Sequence, residues 1–156
     1  MSDWIRESNL IEGVIDPAED ARSHRACTWL IRQSYPVVEF RHTVLLELHR
    51  KLLRVLNPRI AGKYRRCRIF VGTHEGVHWP MIRRALDDWF VVHGRATLPL
   101  EIQAAHVAYE AIHPFEDGNG RTGRMLMNWQ RVKAGLDPLV ILAAECHAYY
   151  EWFHDL

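Results

Sequence analysis

The chain has 156 residues, of which 48% are hydrophobic and 25% charged, a composition typical of a soluble globular protein of one domain. Its formal net charge of +1 shows no basic excess, so no nucleic-acid partner is expected. No apolar run approaches the roughly 20 residues that span a bilayer, so no membrane partner is expected. The N-terminus lacks the apolar core of a signal peptide, and three separated cysteines without a CxxC pair favour reduced thiols. The sequence therefore predicts a cytoplasmic protein.

Helices dominate the predicted elements. Apolar residues recur at helical spacing in six stretches, which in chain order are 16–32, 44–56, 81–92, 100–112, 121–134 and 138–154. Pro36 breaks the chain after the first helix, Asn57-Pro58 closes the second, and Gly135 stops the fifth. Residues 64–72 (YRRCRIFVG) are instead rich in β-branched and aromatic side chains, which predicts a strand or small hairpin. The expected fold class is mainly α with one β excursion.

The most distinctive stretch, HPFEDGNGRTGR at 113–124, lies between two predicted helices. Pro114 disfavours helix at the residue before it, and Gly118 and Gly120 allow a turn that leads into the next helix. The free N–H groups of such a helix N-terminus bind anions. Arg121 and Arg124 are unfavourable near a helix N-terminus unless an anion compensates them, and arginine suits phosphate oxygens. The stretch therefore predicts a polyphosphate site.

The same stretch supplies groups for transfer chemistry. Asp117 offers a carboxylate for Mg²⁺, which is usually held by one or two carboxylates plus substrate phosphates. Asn119 can donate to a phosphate oxygen. His113, on the rim, can take a proton near neutral pH. Together these groups indicate phosphoryl or nucleotidyl transfer to a hydroxyl.

Other interpretations of the stretch are weaker. A Gly-Asn-Gly sequence can be a simple turn between helices. A calcium loop is disfavoured because Arg121 stands where a third oxygen ligand belongs, and the absence of GxxxxGK[ST] excludes a P-loop.

The stretch resembles the signature of Fic-domain proteins, HxFx[D/E]GNGRxxR. Every specified position matches: His113, Phe115, Asp117, Gly118, Asn119, Gly120, Arg121 and Arg124. The resemblance covers essentially the whole chain and implies a Fic fold, a helical bundle with a small β-hairpin flap. It further implies one domain at 1–156, with an inhibitory N-terminal helix at 1–15, a flap hairpin region at 62–79 and a helix–catalytic loop–helix unit at 100–134.

The resemblance implies a protein adenylyltransferase that moves AMP from ATP to a Ser, Thr or Tyr hydroxyl of a target protein (AMPylation). By similarity, His113 deprotonates the hydroxyl, Asp117 holds Mg²⁺ and Arg124 engages the γ-phosphate. Phe115 anchors the loop in the core. The phosphates are bound by a run of residues, Gly118, Asn119, Gly120, Arg121, Thr122 and Gly123. The target is a protein that presents its hydroxyl to the flap, and a homo-oligomer is left open.

The upstream segment SNLIEG at 8–13 matches the family's inhibitory pattern [S/T]xxxE[G/N]. Ser8 and Glu12 are four residues apart, on one face of a helix, where Glu12 alone would be read as a solvated residue. The resemblance implies that Glu12 pairs with Arg124 in the place of the γ-phosphate. We therefore expect a weakly active or self-inhibited enzyme. In some relatives the same glutamate supports removal of AMP, which also stays open here.

Two further regions are assigned by resemblance. Ile69–His74 corresponds to the flap, where Val71, Gly72, Thr73 and His74 border the nucleotide, and Tyr149 and Tyr150 form an adenine-side pair. A simple hairpin and ordinary helix packing are the competing interpretations. The basic cluster just before the flap, Lys63, Arg65, Arg66 and Arg68, is expected to be a solvated strand face.

Two rival functions compete with this assignment. The sequence HEGVH at 74–78 is a literal HExxH, which on a helix would indicate a zinc hydrolase, but it follows a predicted strand, contains Gly76 and ends at Trp79-Pro80. The other rival is a catalytically silent nucleotide- or partner-binding module that Glu12 blocks permanently. Substituting Glu12 separates that module from an inhibited enzyme.

Overall fold

The computed structural model describes residues 3–33, 41–72 and 74–154, and Pro36 lies outside them. Its α-helices are α1 Asp3–Ile11, α2 Pro17–Ile31, α3 His42–Leu53, α4 Ile82–His93, α5 Pro99–Ile112, α6 Asn119–Lys133 and α7 Cys146–Tyr150. Two short antiparallel strands, β1 Phe70–Val71 and β2 His74–Glu75, pair Val71 with His74. The predicted class, mainly α with a small β-hairpin, is confirmed. Within the described ranges, no helix combines the length and apolar character needed to cross a membrane.

Helix α6 lies at the centre of the bundle. Its residues from Arg121 to Gln130 are all buried, and it packs against α1, α2 and most extensively α5. Helix α3 packs on α2, and α4 packs on α5. The hydrophobic core between these helices includes Trp4, Leu30, Leu48, Leu52, Leu86, Tyr109, Phe115 and Met125. This arrangement holds the loop between α5 and α6 on a rigid support.

The ends of α5 and α6 follow from local chemistry. Pro99 opens α5, and the Glu101 carboxylate accepts hydrogen bonds from the N–H groups of Thr97 and Leu98, both at 3.2 Å. The helix ends where Pro114 forces the preceding residue out of the helical region. Helix α6 begins at 119, two residues before the predicted start, because Gly118 in a left-handed conformation (φ 77°) already accepts the N–H of Thr122 at 3.0 Å.

The predicted helix at 138–154 is wrong over its first part. Residues 136–142 are not helical, and short 3₁₀ turns at 143–145 and 151–153 flank α7. The Asn128 side chain accepts from the N–H of Leu139 at 2.7 Å and donates to its carbonyl at 3.1 Å. This side chain satisfies the backbone groups that a helix would have used.

The predicted strand at 64–72 is confined to β1. The segment before it is tied to the α5–α6 loop instead of to a partner strand, since the N–H of Arg65 donates to the carbonyl of Pro114 at 3.0 Å. The described chain returns from β2 into a 3₁₀ turn at Trp79–Met81.

Helix α1 is bound firmly to the bundle. Trp4 and Ile5 are each 3% exposed in the core, and Asn9 accepts from the Ser23 hydroxyl and donates to Asp20, both at 2.9 Å. The helix ends at Ile11 because Gly13 takes a left-handed conformation (φ 69°). Glu12 is therefore the first residue beyond α1, in the turn that follows it, and it contacts the same Arg124 guanidinium as Ser8.

Candidate active site

A cavity of about 590 Å³ opens at the N-terminus of α6, between the α5–α6 loop, the hairpin and the C-terminal turns. Most of the residues singled out in the sequence line it: Glu12, Val71, Gly72, His74, His113, Asp117, Gly118, Asn119, Gly120, Arg124, Tyr149 and Tyr150. Arg121, Thr122 and Gly123 lie behind its wall, in the buried first turn of α6, and Ser8 reaches it only through Arg124. Thr73 lies outside the described residues.

His113 is held in an unusual backbone conformation at the end of α5. Its φ of 49° makes it the one non-glycine residue with positive φ in the described part of the chain, and such strain is typical of functional positions. Its Nδ1 lies 3.3 Å from the carbonyl oxygen of Glu110 and 3.6 Å from that residue's Oε2. Two acceptors near Nδ1 favour a proton on that nitrogen, which leaves Nε2 able to accept one.

The loop that carries His113 is braced from within and from below. The Asn119 side chain accepts from the N–H of Phe115 at 2.9 Å and donates to its carbonyl at 3.0 Å, so its amide is used by the loop itself. From α3, His49 donates to the carbonyl of Asp117 at 3.0 Å, accepts from Gly62 and stacks on the Phe115 ring at 3.7 Å. Burial lowers the pKa of His49 to about 4, so it is neutral and keeps both roles at physiological pH.

Arg65 supports the same loop from the hairpin side. Its guanidinium donates to the carbonyl oxygens of His113 at 2.7 Å, Cys67 at 2.7 Å and Val77 at 2.5 Å, and the residue is 2% exposed. The prediction that it belongs to a solvated basic face is therefore wrong. These three carbonyl groups, together with that of Ile112 at 3.3 Å, compensate the buried cation.

The first turn of α6 has free N–H donors and a buried positive charge, which together favour a bound anion. The backbone N–H groups of Asn119, Gly120 and Arg121 belong to the helix start, where no intrahelical acceptor exists. Arg121 is 4% exposed, and its Nε and Nη1 form no hydrogen bond within the described residues. The nearest carboxylates, Glu19 and Asp117, are 3.7 and 3.6 Å away. A buried guanidinium with unmet donors below open N–H groups favours negative charge at this point.

Asp117 can supply one metal ligand. Its side chain is 59% exposed, Oδ1 accepts from the N–H of Gly118 at 2.6 Å, and Oδ2 has no partner among the described residues. The described ranges contain no group of three or more His, Cys, Asp or Glu side chains arranged to hold a metal. A single exposed carboxylate beside a helix N-terminus that favours anions suits Mg²⁺, which takes further ligands from phosphates and water.

The arrangement does not form the helical zinc site that HExxH requires. His74 and Glu75 are the two residues of β2, so they do not lie on a helix. Glu75 is held by Arg68, whose Nε and Nη2 donate to its two oxygens at 2.7 Å each.

Arg124 joins the cavity to the N-terminal segment. Two of its bonds go to Ser8: Nε donates to the hydroxyl at 2.8 Å and Nη2 to the carbonyl oxygen at 3.0 Å. Nη2 also donates to Glu12 Oε1 at 2.6 Å, and Nη1 donates to the Tyr149 hydroxyl at 3.3 Å. Burial acts to lower the pKa of Arg124, but Tyr149 and Glu12 outweigh it and raise the pKa. The arginine is charged and fully engaged by its protein partners.

A buried polar network behind His113 was missed by the sequence reasoning. Glu110 is 7% exposed, and its Oε1 has no partner in the described part of the chain. Burial acts to raise its pKa, but the contact with His113 and the charge of Arg124 outweigh it, so the pKa is lowered and the group stays ionised. The spacing of three between Glu110 and His113 on one helix could have revealed the pair.

Comparisons with known proteins place the chain among its relatives. Residues 39–131 match the family model described as the Fic/DOC family. A protein of Nematostella vectensis named protein adenylyltransferase Fic is 38% identical over 118 residues, and one of Drosophila melanogaster with the same name is 35% identical over 113. These matches cover 71% and 69% of this chain but only 27% and 23% of those proteins. The chain thus spans about a quarter of the length of these curated relatives.

Solved structures share the fold. A Fic-domain-containing signalling protein of Bacteroides thetaiotaomicron superposes with a TM-score of 0.82 at 21% identity, covering 98% of this chain and 70% of that one. Fic-1 from C. elegans superposes with a TM-score of 0.74 at 24% identity, covering 96% of this chain and 52% of that one. At these identities the likeness establishes the fold alone.

Proposed function

The chain belongs to the Fic/DOC family, and from this premise we propose that it transfers AMP from ATP to a hydroxyl side chain of a target protein. The observation that carries the proposal is the position of His113 on the rim of a cavity whose base is the open N-terminus of α6. Curated relatives named protein adenylyltransferase support the same activity.

In the proposed reaction, Nε2 of His113 accepts the proton of the target hydroxyl. The hydroxyl oxygen then forms a bond to the α-phosphorus of ATP while the bond to the bridging oxygen breaks, and pyrophosphate leaves. The N–H groups at the start of α6 and the charge of Arg121 stabilise the negative charge that develops on the phosphate oxygens. Hydrogen bonds from Arg65, Asn119 and His49 hold the loop, so the base is positioned before the substrate arrives.

Asp117 is the residue that would hold Mg²⁺, and the ion would supply neutralisation of phosphate charge. The exposed carboxylate oxygen at the mouth of the cavity supports this assignment. Two hairpin residues that line the cavity, Val71 and Gly72, are exposed, which supports their proposed role beside the nucleotide and the target strand.

The enzyme is proposed to inhibit itself through Glu12. The Glu12 carboxylate takes a donor of Arg124 that a γ-phosphate would otherwise use, so ATP would bind with its phosphates displaced. A silent nucleotide-binding module has the same contact, and only activity distinguishes it from an inhibited enzyme. Removal of AMP from a modified target, with the help of Glu12, is a second predicted reaction of this site. The cytoplasmic location also stays a prediction.

The deciding experiment uses ATP labelled on the α-phosphate, Mg²⁺ and a cell lysate as the source of targets. We expect weak labelling with the wild type, strong labelling with Glu12→Gly, and none with Glu12→Gly combined with His113→Ala. Absence of label in every lane, while ATP binding persists, would contradict the transferase and leave the binding module.

A further inference from the structure

A second cavity of about 730 Å³ lies next to the active-site cavity, and Glu116 lines both. It runs between the segment 59–66 and the chain that follows the hairpin at 79–83, and we refer to it as the lateral groove. Buried Ile60 and Ile82 contribute to its lining, and Trp79 on its wall is 41% exposed. Exposed tryptophan together with arginine is typical of protein interaction sites.

The lateral groove is strongly basic although the chain as a whole carries a net charge of only +1. Its lining contains a single acidic residue, Glu116, against the basic residues Arg59, Lys63, Arg65, Arg66 and Arg83. Glu116 is already bonded to Arg59 at 2.9 Å. Arg66 and Arg83 are exposed and form no ion pair with the described carboxylates. The Arg83 guanidinium lies over the Tyr64 ring at 5.6 Å, a contact that leaves its N–H groups to a ligand.

The groove borders the transfer site. Arg65 lines the groove while its Nε donates to the carbonyl of His113, and Glu116 directly precedes Asp117. A protein segment lying in the groove would therefore pass beside the hydroxyl that His113 deprotonates.

We propose that the lateral groove binds an acidic segment of the target protein, adjacent to the modified hydroxyl. The inference rests on the proposed function, since it assigns a substrate class to the same site. Carboxylates of the target would pair with Arg66 and Arg83, while an apolar or aromatic residue would pack on Trp79.

The test measures binding without ATP, so it stands apart from transfer activity. Short fluorescein-labelled peptides with a central Thr and flanks of Glu, Gln or Lys are titrated with the wild type, and fluorescence anisotropy is recorded. We expect the Glu peptide to bind most tightly and Arg66→Glu with Arg83→Glu to weaken it by about tenfold. The matched control, Arg95→Glu with Lys133→Glu, makes the same charge change at a different cavity and should have little effect.

Equal binding of the Glu and Gln peptides, or equal weakening by the control pair, would overturn the proposal. Tighter binding of a labelled single-stranded oligonucleotide than of the Glu peptide would also overturn it, in favour of a nucleic-acid ligand. Intact peptide binding with no AMP transfer would contradict the proposed function and leave the groove as a docking site.

A different observation, the carboxylate behind His113, carries a second inference. The groups that face Glu110 are His106 on α5, His113 just beyond the end of α5, Arg124 on α6, and Tyr149 and Tyr150 on α7. The Tyr149 hydroxyl bonds His106 Nε2 at 2.8 Å. Burial lowers the pKa of His106 to about 4, so it brings no charge at neutral pH. Oε2 of Glu110 lies 3.6 Å from Nδ1 of His113, and Oε1 is unpartnered within the described residues.

We infer that Glu110 is a positioning residue for His113, also resting on the proposed function. Its carboxylate holds the proton on Nδ1, keeps Nε2 free as the acceptor, and stabilises the imidazolium that forms when the target hydroxyl gives up its proton. Glu110 itself stays unprotonated throughout.

The test combines a spectroscopic and a kinetic readout. In the wild type, ¹⁵N chemical shifts of the His113 ring above neutral pH should report a proton on Nδ1, and Glu110→Gln should mix the two tautomers. In the Glu12→Gly background, Glu110→Gln should lower kcat by about tenfold or more, leave KM for ATP unchanged and move the acid limb of the kcat profile to lower pH.

Glu110→Asp should restore part of the activity, and Asp88→Asn on α4 is the matched exposed control. If Glu110→Gln reduced the amount of folded protein but left the His113 tautomer unchanged, the role of Glu110 would be merely structural and the inference would be overturned. The ring spectrum is readable whether or not AMP is transferred, so its outcome is independent of the proposed function.

Discussion

Glu12 Oε1 lies 2.6 Å from Nη2 of Arg124, a contact that joins the turn after α1 to the first turns of α6 across 112 residues of sequence. The arginine side chain is 3% exposed and the glutamate side chain 36%. The charge on Arg124 is therefore buried and permanent, while its partner has room to leave toward solvent. This difference indicates which of the two groups can move when a nucleotide competes for the site.

Removing the charge of Glu12 should activate AMP transfer. Glu12→Gln keeps the size of the side chain but weakens its hold on Arg124, so the arginine becomes available to a γ-phosphate. We expect about a tenfold rise in the initial rate of labelling from α-labelled ATP, since charge-assisted hydrogen bonds are roughly twice as strong as neutral ones. Asp88→Asn, which removes an exposed carboxylate on α4, should leave the rate unchanged; an equal rise in that control would point to a general charge effect.

Asp117 should set the demand for Mg²⁺. With Asp117→Asn the site loses its carboxylate ligand, and we expect the Mg²⁺ concentration for half-maximal transfer to rise by about tenfold. The measurement is a Mg²⁺ titration of labelling in the Glu12→Gly background. The neighbouring Glu116→Gln provides the control, and an identical shift in both variants would argue against Asp117 as the ligand.

Acid should destabilise the fold through two neutral histidines. Burial lowers the pKa of both His49 and His106 to about 4, below the usual value near 6.5 in an unfolded chain. Their stabilising contribution is therefore full above pH 6.5 and is lost as the pH falls through about 4, amounting to about 3 kcal/mol for each residue.

The prediction can be checked by urea unfolding between pH 7 and pH 4. The free energy of unfolding should fall more steeply for the wild type than for His49→Gln, because the variant takes up one proton fewer on unfolding. Parallel slopes in the two proteins would contradict a neutral, buried His49.

Gly123 should not tolerate a side chain. A Cβ at this position would overlap Oε1 of Glu110 and would lie 3.0 Å from atoms of both His106 and Tyr109. Gly123→Ala should therefore lower the free energy of unfolding by about 1–3 kcal/mol, despite the better helix propensity of alanine. Adding Glu110→Ala removes the overlapping oxygen, so the double variant should lose less than the sum of the two single variants. If the losses of unfolding free energy in the two single variants simply added up in the double variant, the Cβ of residue 123 would not contact Glu110.

The sequence was informative where a residue type has few possible roles. Pro114, Gly118 and the two arginines predicted a turn into a helix N-terminus, and the structure has that turn with α6 starting two residues early. The family signature then assigned the roles of His113 and Asp117. Helix boundaries elsewhere followed hydrophobic spacing to within about three residues, as in α3 and α4.

Features that depend on long-range contacts were not predictable. Arg65 looks like a surface residue until the carbonyl groups of His113 and Val77 are brought around it, 48 and 12 residues away. His49 supports the loop from α3, 68 residues before Asp117. The helix predicted from Pro138 failed because Asn128 captures the backbone of Leu139, an interaction that periodicity does not register.

The anchoring of α1 in the core has a kinetic consequence. Trp4 and Asn9 tie the helix to the bundle, so Glu12 and Arg124 are neighbours in every copy of the chain. Their contact therefore forms and breaks within one molecule, with first-order rates. Diluting the protein cannot separate them, and the effective concentration of the blocking carboxylate is set by the short tether beyond Ile11. Only the turn at Glu12 and Gly13 has to rearrange, a motion of the nanosecond-to-microsecond class expected for loops. The strength of the block should therefore be independent of protein concentration.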